Sequence, residues 1–146
     1  MTDYFTHFSC LFDVGSPENA ARAGKLHTEL VADPDHEEGA YPGFEMQEAP
    51  ESGPGALWIY SDHYGDPDHV IRFVLLCAEA FNLHGVWAFT WALTCSKPRL
   101  DSFGGGAHII DLAKRATVAD FDCAAWVREY VEARDQGAAE QSVVAS

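Results

Sequence analysis

Residues 4–14 alternate as a half-buried strand does, with Phe8, Cys10 and Phe12 on one side and Phe5, His7, Ser9 and Leu11 on the other. The alternation stops at Ser16-Pro17-Glu18, which reads as an N-cap, a first-turn proline and an acid at the positive end of a helix. That helix runs to about residue 31 and sets Ala20, Ala23, His27 and Leu30 on one face. Residues 56–61, Ala-Leu-Trp-Ile-Tyr-Ser, predict another strand, and Asp66-Pro67-Asp68 repeats the cap-plus-proline signal. The helix it opens reaches about residue 83, with Val70, Phe73, Val74, Cys77 and Phe81 facing inward and Arg72 and Glu79 on the wet side. With so few charges, it belongs over the centre of a sheet.

His84-Gly85 closes this helix, and residues 86–95 form the clearest strand of the chain. Trp87, Phe89, Trp91, Leu93 and Cys95 share one face. Val86, Ala88, Thr90, Ala92 and Thr94 share the other, and their small size suits close approach of a helix. A loop over 96–106 leads to a hairpin partner at 107–112. A last helix is expected from about Asp120 to Arg134, with Phe121, Ala124, Trp126, Val127, Tyr130 and Val131 as its apolar surface. Between the first helix and the strand at 56–61, Pro34, Gly39, Pro42, Gly43, Pro50, Gly53, Pro54 and Gly55 predict mostly irregular chain with a short edge strand at 44–48. The element order predicts an α+β fold, an antiparallel or mixed β-sheet of four to five strands with helices packed on one face. Residues 1–135 are expected to form a single domain and residues 136–146 a flexible C-terminal tail.

Composition agrees with folding: 47% of the 146 residues are hydrophobic and 22% are charged. The N-terminus lacks the basic start and apolar run of a signal peptide, and the runs at 73–77 and 86–93 are too short to span a bilayer. A soluble, cytoplasmic protein is expected. Cys10, Cys77, Cys95 and Cys123 are scattered singly, with no C-x-x-C pair, as reduced thiols would be.

Charge changes the picture. The formal net charge is -14, and no Lys or Arg lies between Leu26 and Ile71. That stretch holds Glu29, Asp33, Asp35, Glu37, Glu38, Glu45, Glu48, Glu51, Asp62, Asp66 and Asp68. Such a field repels nucleic acid and anionic membrane and attracts basic surfaces. A long proline- and glycine-rich connection in a compact domain is usually functional or mobile, and this one coincides with the acidic block.

Two motifs suggest chemistry. In Asp62-His63-Tyr64-Gly65-Asp66-Pro67-Asp68-His69, the side chains of Asp62, His63, Asp66 and His69 are candidate ligands for a divalent metal. Helix capping accounts for Asp66 and Asp68 without an ion, and the spacing fits neither a zincin helix nor an EF-hand loop. The second motif runs from Cys95 through Lys97, Arg99 and Asp101 to Gly104-Gly105-Gly106, where consecutive glycines could offer backbone N–H groups to an anion. It has no phosphate-loop spacing and no helix behind it, so a flexible loop whose cations pair with the acidic half is favoured. Ser61, Ser96 and Ser102 lack a nucleophile-elbow context, and Cys95 and His108 are only neighbours on the expected hairpin. No catalytic residue, resident metal or cofactor is expected.

Three stretches are familiar together: Asp3-Tyr4-Phe5-Thr6-His7-Phe8-Ser9, Ala56-Leu57-Trp58-Ile59-Tyr60-Ser61, and residues 95–107 with their triple glycine. They resemble small acidic hypothetical proteins carried by phages and plasmids of proteobacteria, over most of residues 3–112. The resemblance supplies a setting and no functional residue: small acidic proteins on mobile elements often counter host restriction or CRISPR systems, some by imitating the charge of DNA.

The leading expectation is therefore a non-enzymatic inhibitor or binding protein. Asp33, Asp35, Glu37, Glu38, Glu45, Glu48, Glu51, Asp62 and Asp66 would occupy a basic groove of a host protein that handles nucleic acid, with Tyr41, Phe44 or Tyr64 as aromatic anchors. Direct binding to nucleic acid or membrane is not expected. One alternative is a metal-dependent or small-molecule enzyme with its site at loop 62–69. Another is a dimeric structural or regulatory phage protein using Trp87, Trp91 or Trp126 as its interface, so a homodimer is among the expected assemblies.

Overall fold

The computed structural model describes residues 4–31, 43–97 and 103–137. Along the chain lie β1 (Tyr4–Asp13), α1 (Pro17–Val31), β2 (Glu45–Glu48), a 3₁₀ turn at Pro50–Ser52, and β3 (Ala56–Ser61). They are followed by α2 (Pro67–Ala80), β4 (Val86–Cys95), β5 (Gly104–Asp111), β6 (Ala116–Asp122) and α3 (Cys123–Gly137). The six strands form one sheet in the order β2-β3-β1-β4-β5-β6, every pairing antiparallel. The α+β expectation holds, with six strands in place of four to five. No helix among the described residues is long and apolar enough to cross a membrane.

Capping fixes where the helices begin. The Asn19 amide donates to Ser16 Oγ at 3.1 Å and the Asp68 amide to Asp66 Oδ1 at 3.0 Å, each just ahead of or across the first-turn proline. The end of α2 is marked by Asn82 in a left-handed conformation at φ 51°, close after the last helical turn.

The core lies between α1, α2 and the face of the sheet that carries Phe8, Phe12, Leu57, Ile59, Phe89 and Ile110. Phe12 meets Phe73 edge-on at 6.5 Å, Phe44 meets Phe73 at 5.4 Å, and Phe8 meets Phe89 edge-on at 6.0 Å. The register puts Trp87, Phe89 and Trp91 on this helix-bearing face. The expectation that small residues of β4 would receive a helix is thus overturned: Val86, Ala88, Thr90 and Ala92 point to the opposite, exposed face. Wide aromatic side chains fill the space between the layers, and the small face is left outside.

Two further expectations need correcting. The chain from Ala116 to Asp122 is a strand, so the last helix starts three residues later than its expected start at Asp120. A bulge between Ile109 and Ile110 shifts the β5–β6 register, which hides the strand's period from the sequence. Phe44, named as an exposed anchor, is fully buried against His27 and Phe73. Tyr41 and residues 138–146 of the expected tail lie outside the described residues, while Gln136 and Gly137 belong to α3.

The glycine run also receives a packing explanation. All three glycines belong to β5, and a Cβ at Gly106 would lie 2.5 Å from the Phe121 carbonyl oxygen and 2.5 Å from the Trp91 ring. A Cβ at Gly104 would meet only Leu93 Cδ1, at 3.8 Å. Gly106→Ala is therefore expected to lower stability by about 1–3 kcal/mol through overpacking. Gly104→Ala should stay within about 0.5 kcal/mol of wild type. Urea unfolding of the two variants checks the contrast.

His27 sits in the core with its Nε2 buried and unpartnered among the described residues, its ring 4.7 Å from Phe44 and 6.0 Å from Phe73. Burial lowers its pKa below the ordinary 6.5, opposed by a hydrogen bond to the Phe44 backbone. The unfolded chain takes up a proton near that ordinary value while the native ring stays neutral. Stability should therefore fall as pH drops below 6.5, until the native ring is also protonated. His27→Leu should flatten this part of the profile, as read by urea unfolding between about pH 5 and 8.

Candidate functional site

β2 is an edge strand of four residues, and its register with β3 sets Glu45 opposite Tyr60 and Gln47 opposite Trp58. On the other side of β3, Ser9 of β1 lies opposite Tyr60 and Leu11 opposite Trp58. Two rows therefore cross the exposed face of the sheet, Glu45–Tyr60–Ser9 and Gln47–Trp58–Leu11. The Trp58 and Tyr60 rings stack with centroids 4.0 Å apart and planes at 24°, and Trp58 Nε1 donates to Ser9 Oγ at 2.8 Å. That bond fixes the orientation of the indole.

Beyond Glu48, the buried Ala49 and the 3₁₀ turn fold up beside these rows. The Ala49 amide donates to the Ala56 carbonyl at 2.9 Å, which ties the turn to the start of β3. The result is an open cleft of about 480 Å³ lined by Ser9, Leu11, Trp58, Ala49, Glu51 and Ser52.

Glu45, Glu48 and Glu51 are all exposed, and among the described residues none of them takes part in a hydrogen bond or ion pair through its carboxylate. Asp62 follows β3 at the end where Tyr60 faces Glu45 and is also exposed. A hydrogen bond with His63 at 2.8 Å holds the Asp62 carboxyl below the usual carboxylate range, so it stays ionised. Carboxylates bordering the face of an indole and a phenol suit a guanidinium or ammonium group, which gains from the negative π-face and the anionic oxygens together.

Of the predicted partner-binding residues, Glu45, Glu48, Glu51 and Asp62 thus fall along the β2–β3 edge. Asp66 serves the fold: it caps α2 and lies 3.4 Å from His69 Nε2. Asp33, Asp35, Glu37 and Glu38 lie outside the described residues, as do Arg99 and Asp101. Tyr64 remains exposed, its ring stacked on Phe5 at 6.2 Å. The four candidate metal ligands divide into two separate pairs, Asp62 with His63 and Asp66 with His69. Among the described residues no group of three or more His, Cys, Asp or Glu side chains could hold a metal ion.

Cys95 and His108 are not brought together, since His108 pairs across the sheet with Phe89, and Cys95 pairs with Tyr4. His108 Nε2 is within 2.8 Å of Thr117 Oγ1. Desolvation pushes the thiols of the half-buried Cys10 and the buried Cys77 up to about 12, so both are inert at neutral pH.

Trp58 and Tyr60 were not singled out from the sequence. Their signal was available: they alternate with Leu57 and Ile59, so one pair is committed to the core and the other to the opposite face. Comparison of the chain with models of known protein families, with curated proteins and with solved structures found no match.

Proposed function

We propose that the β2–β3 edge is the docking surface of a non-enzymatic binding protein whose partner is a basic, nucleic-acid-handling protein. The observation that carries this reading is the set of exposed carboxylates along this edge, with Glu45 in register with Tyr60 and Glu51 in the cleft with Trp58, Asp62 at the end of β3, and Glu48 on the same edge in register with Leu57. Their charge is unneutralised by any described Lys or Arg, so a cationic groove meets an anionic field with aromatic contact area inside it. Arginine side chains fit best, because the planar guanidinium stacks on an aromatic ring while bonding a carboxylate.

The resemblance to small acidic proteins of phages and plasmids supplies the setting. A mobile element gains when a host defence protein of the restriction or CRISPR type is kept off DNA, and an acidic edge that competes for its DNA groove does this without chemistry. Duplex DNA presents one charge per about 1.7 Å of axis, so the competition is electrostatic and salt-sensitive. Function through a metal-dependent site at loop 62–69 has less support, because its carboxylates are committed to a neighbouring imidazole and a helix cap.

The test uses the triple variant Glu45→Lys, Glu48→Lys and Glu51→Lys. At low salt the wild-type protein is expected to capture basic nucleic-acid-binding proteins from a bacterial lysate and to displace DNA from them. The variant, with an unchanged circular dichroism spectrum, should bind at least about tenfold more weakly, and raising the salt should erase the difference by screening. Undiminished capture by the folded variant would leave the acidic edge as a guard against strand pairing and end the docking proposal.

A further inference from the structure

On the helix-bearing side of the sheet, two cross-strand rows run out from β4 to β6. Trp91 lies opposite Gly106 and Gly106 opposite Asp122, while Phe89 lies opposite His108 and His108 opposite Asp120. Residues two apart on a strand share a face, so Asp120 and Asp122 both stand on this side of the sheet. The first turns of α2 reach the same place with Asp68 and Ile71, and together these residues border a cavity of about 280 Å³. Gly106 makes the space: a Cβ there would come within 2.5 Å of the Trp91 ring.

Three carboxylates border the cavity, and no described Lys or Arg lines it. Asp66 takes the cap of α2, so the Asp68 carboxylate makes no hydrogen bond or ion pair among the described residues, and neither does that of Asp120. Asp122 accepts the Ala125 amide with Oδ1 at 2.8 Å, which leaves Oδ2 open. His108 gives an independent sign of a ligand. It is only 8% exposed, its ring lines the cavity, and its Nε2 lies 2.8 Å from Thr117 Oγ1. Its Nδ1 has no hydrogen-bond partner among the described residues. A ring nitrogen left open in so buried a side chain takes its partner from whatever fills the cavity.

The lining selects the chemistry of that occupant. An anion is repelled, a neutral molecule leaves the carboxylates unanswered, and no described group of three His, Cys, Asp or Glu side chains can hold a metal ion. An organic cation remains. A guanidinium is met best by two coplanar oxygens, whereas these carboxylates come from separate points, one on α2 and two roughly 6.7 Å apart along β6. Separate points suit separate ammonium groups, each a compact charge with three donors. Between them the Trp91 ring and the Ile71 side chain suit a methylene chain. The volume falls below the roughly 300–1,000 Å³ of sites for drug-sized ligands, so the occupant is small.

We infer that this cavity binds a small aliphatic di- or polyamine, its ammonium groups held by Asp68, Asp120 and Asp122 and its methylene chain lying against Trp91. The site is separate from the β2–β3 edge and does not depend on what docks there.

Isothermal titration calorimetry of the full chain with putrescine and with spermidine tests this. Salt is set at about 0.15 M, where diffuse attraction is screened beyond roughly 8 Å. One amine per chain is expected to bind saturably. Asp68→Asn with Asp120→Asn should weaken binding at least about tenfold, as loss of charged hydrogen-bond acceptors does. Both side chains are exposed, so circular dichroism should not change. Butylamine, with a single ammonium, should bind at least about tenfold more weakly than putrescine. The variant Glu45→Lys, Glu48→Lys and Glu51→Lys should keep its putrescine affinity within about twofold, since its charges lie at the other end of the sheet. Absence of saturable binding, an affinity unchanged in the folded Asp68 and Asp120 variant, or one that follows the β2–β3 substitutions instead, overturns the proposal.

Discussion

Two helices cannot cover six strands, and this mismatch of widths shapes the molecule. Six strands of about 4.8 Å each are roughly 29 Å wide, whereas two helices about 10 Å across cover roughly 20 Å. The fully buried residues show where the cover lies: Phe12 of β1, Leu57 and Ile59 of β3 and Ile110 of β5, with Phe44, Val70 and Phe73 in the segments packed over them. β6 lies beyond it, and the face of the sheet opposite α1 and α2 keeps Leu11 and Val86 exposed.

The core can be that narrow because it is aromatic. Phe8, Phe12, Phe44, Phe73, Phe89 and Trp87 interlock through ring contacts of 5.2–6.5 Å, giving large burial from few residues. His27 is the exception within it, a polar ring placed where phenylalanine would fit, and it makes this seam sensitive to acid. The sheet that the seam supports has unlike ends: a short edge with a stacked indole and phenol beside it, and a longer, fully exposed edge strand continued by a helix whose Trp126, Val127, Tyr130 and Val131 are exposed. The proposed function rests on the first of these ends, read as a site for cationic groups.

Much of the fold was legible in the sequence wherever a local signal and a periodic pattern agreed. Ser16-Pro17 and Asp66-Pro67 located the starts of α1 and α2, and the alternation from Val86 to Cys95 gave β4 to the residue. β6 was missed because the bulge at Ile109/Ile110 breaks its period, and because its residues, exposed on both faces, carry no buried alternation to read. The direction of β4 was misjudged for a physical reason. Small residues were expected to receive a helix, but the helices rest on Trp87 and Phe89, whose bulk fills the interlayer space. The glycines at 104–106 were expected in a flexible loop, yet they belong to β5, and at Gly106 the crowding comes from Trp91 and Phe121, residues remote in sequence. At the candidate site the charges of Glu45, Glu48, Glu51 and Asp62 could be read directly, while the Trp58–Tyr60–Ser9 arrangement needed the β1–β3 register.

The central claim is that a basic partner docks on the β2–β3 end of the sheet and not on the opposite edge. Amide hydrogen exchange with and without an arginine-rich peptide at low salt tests it most directly. The account predicts added protection confined to the β2–β3 segment and the adjoining part of β1, and lost when the salt is raised. Protection centred on β6 and α3, or protection that persists at high salt, would contradict it.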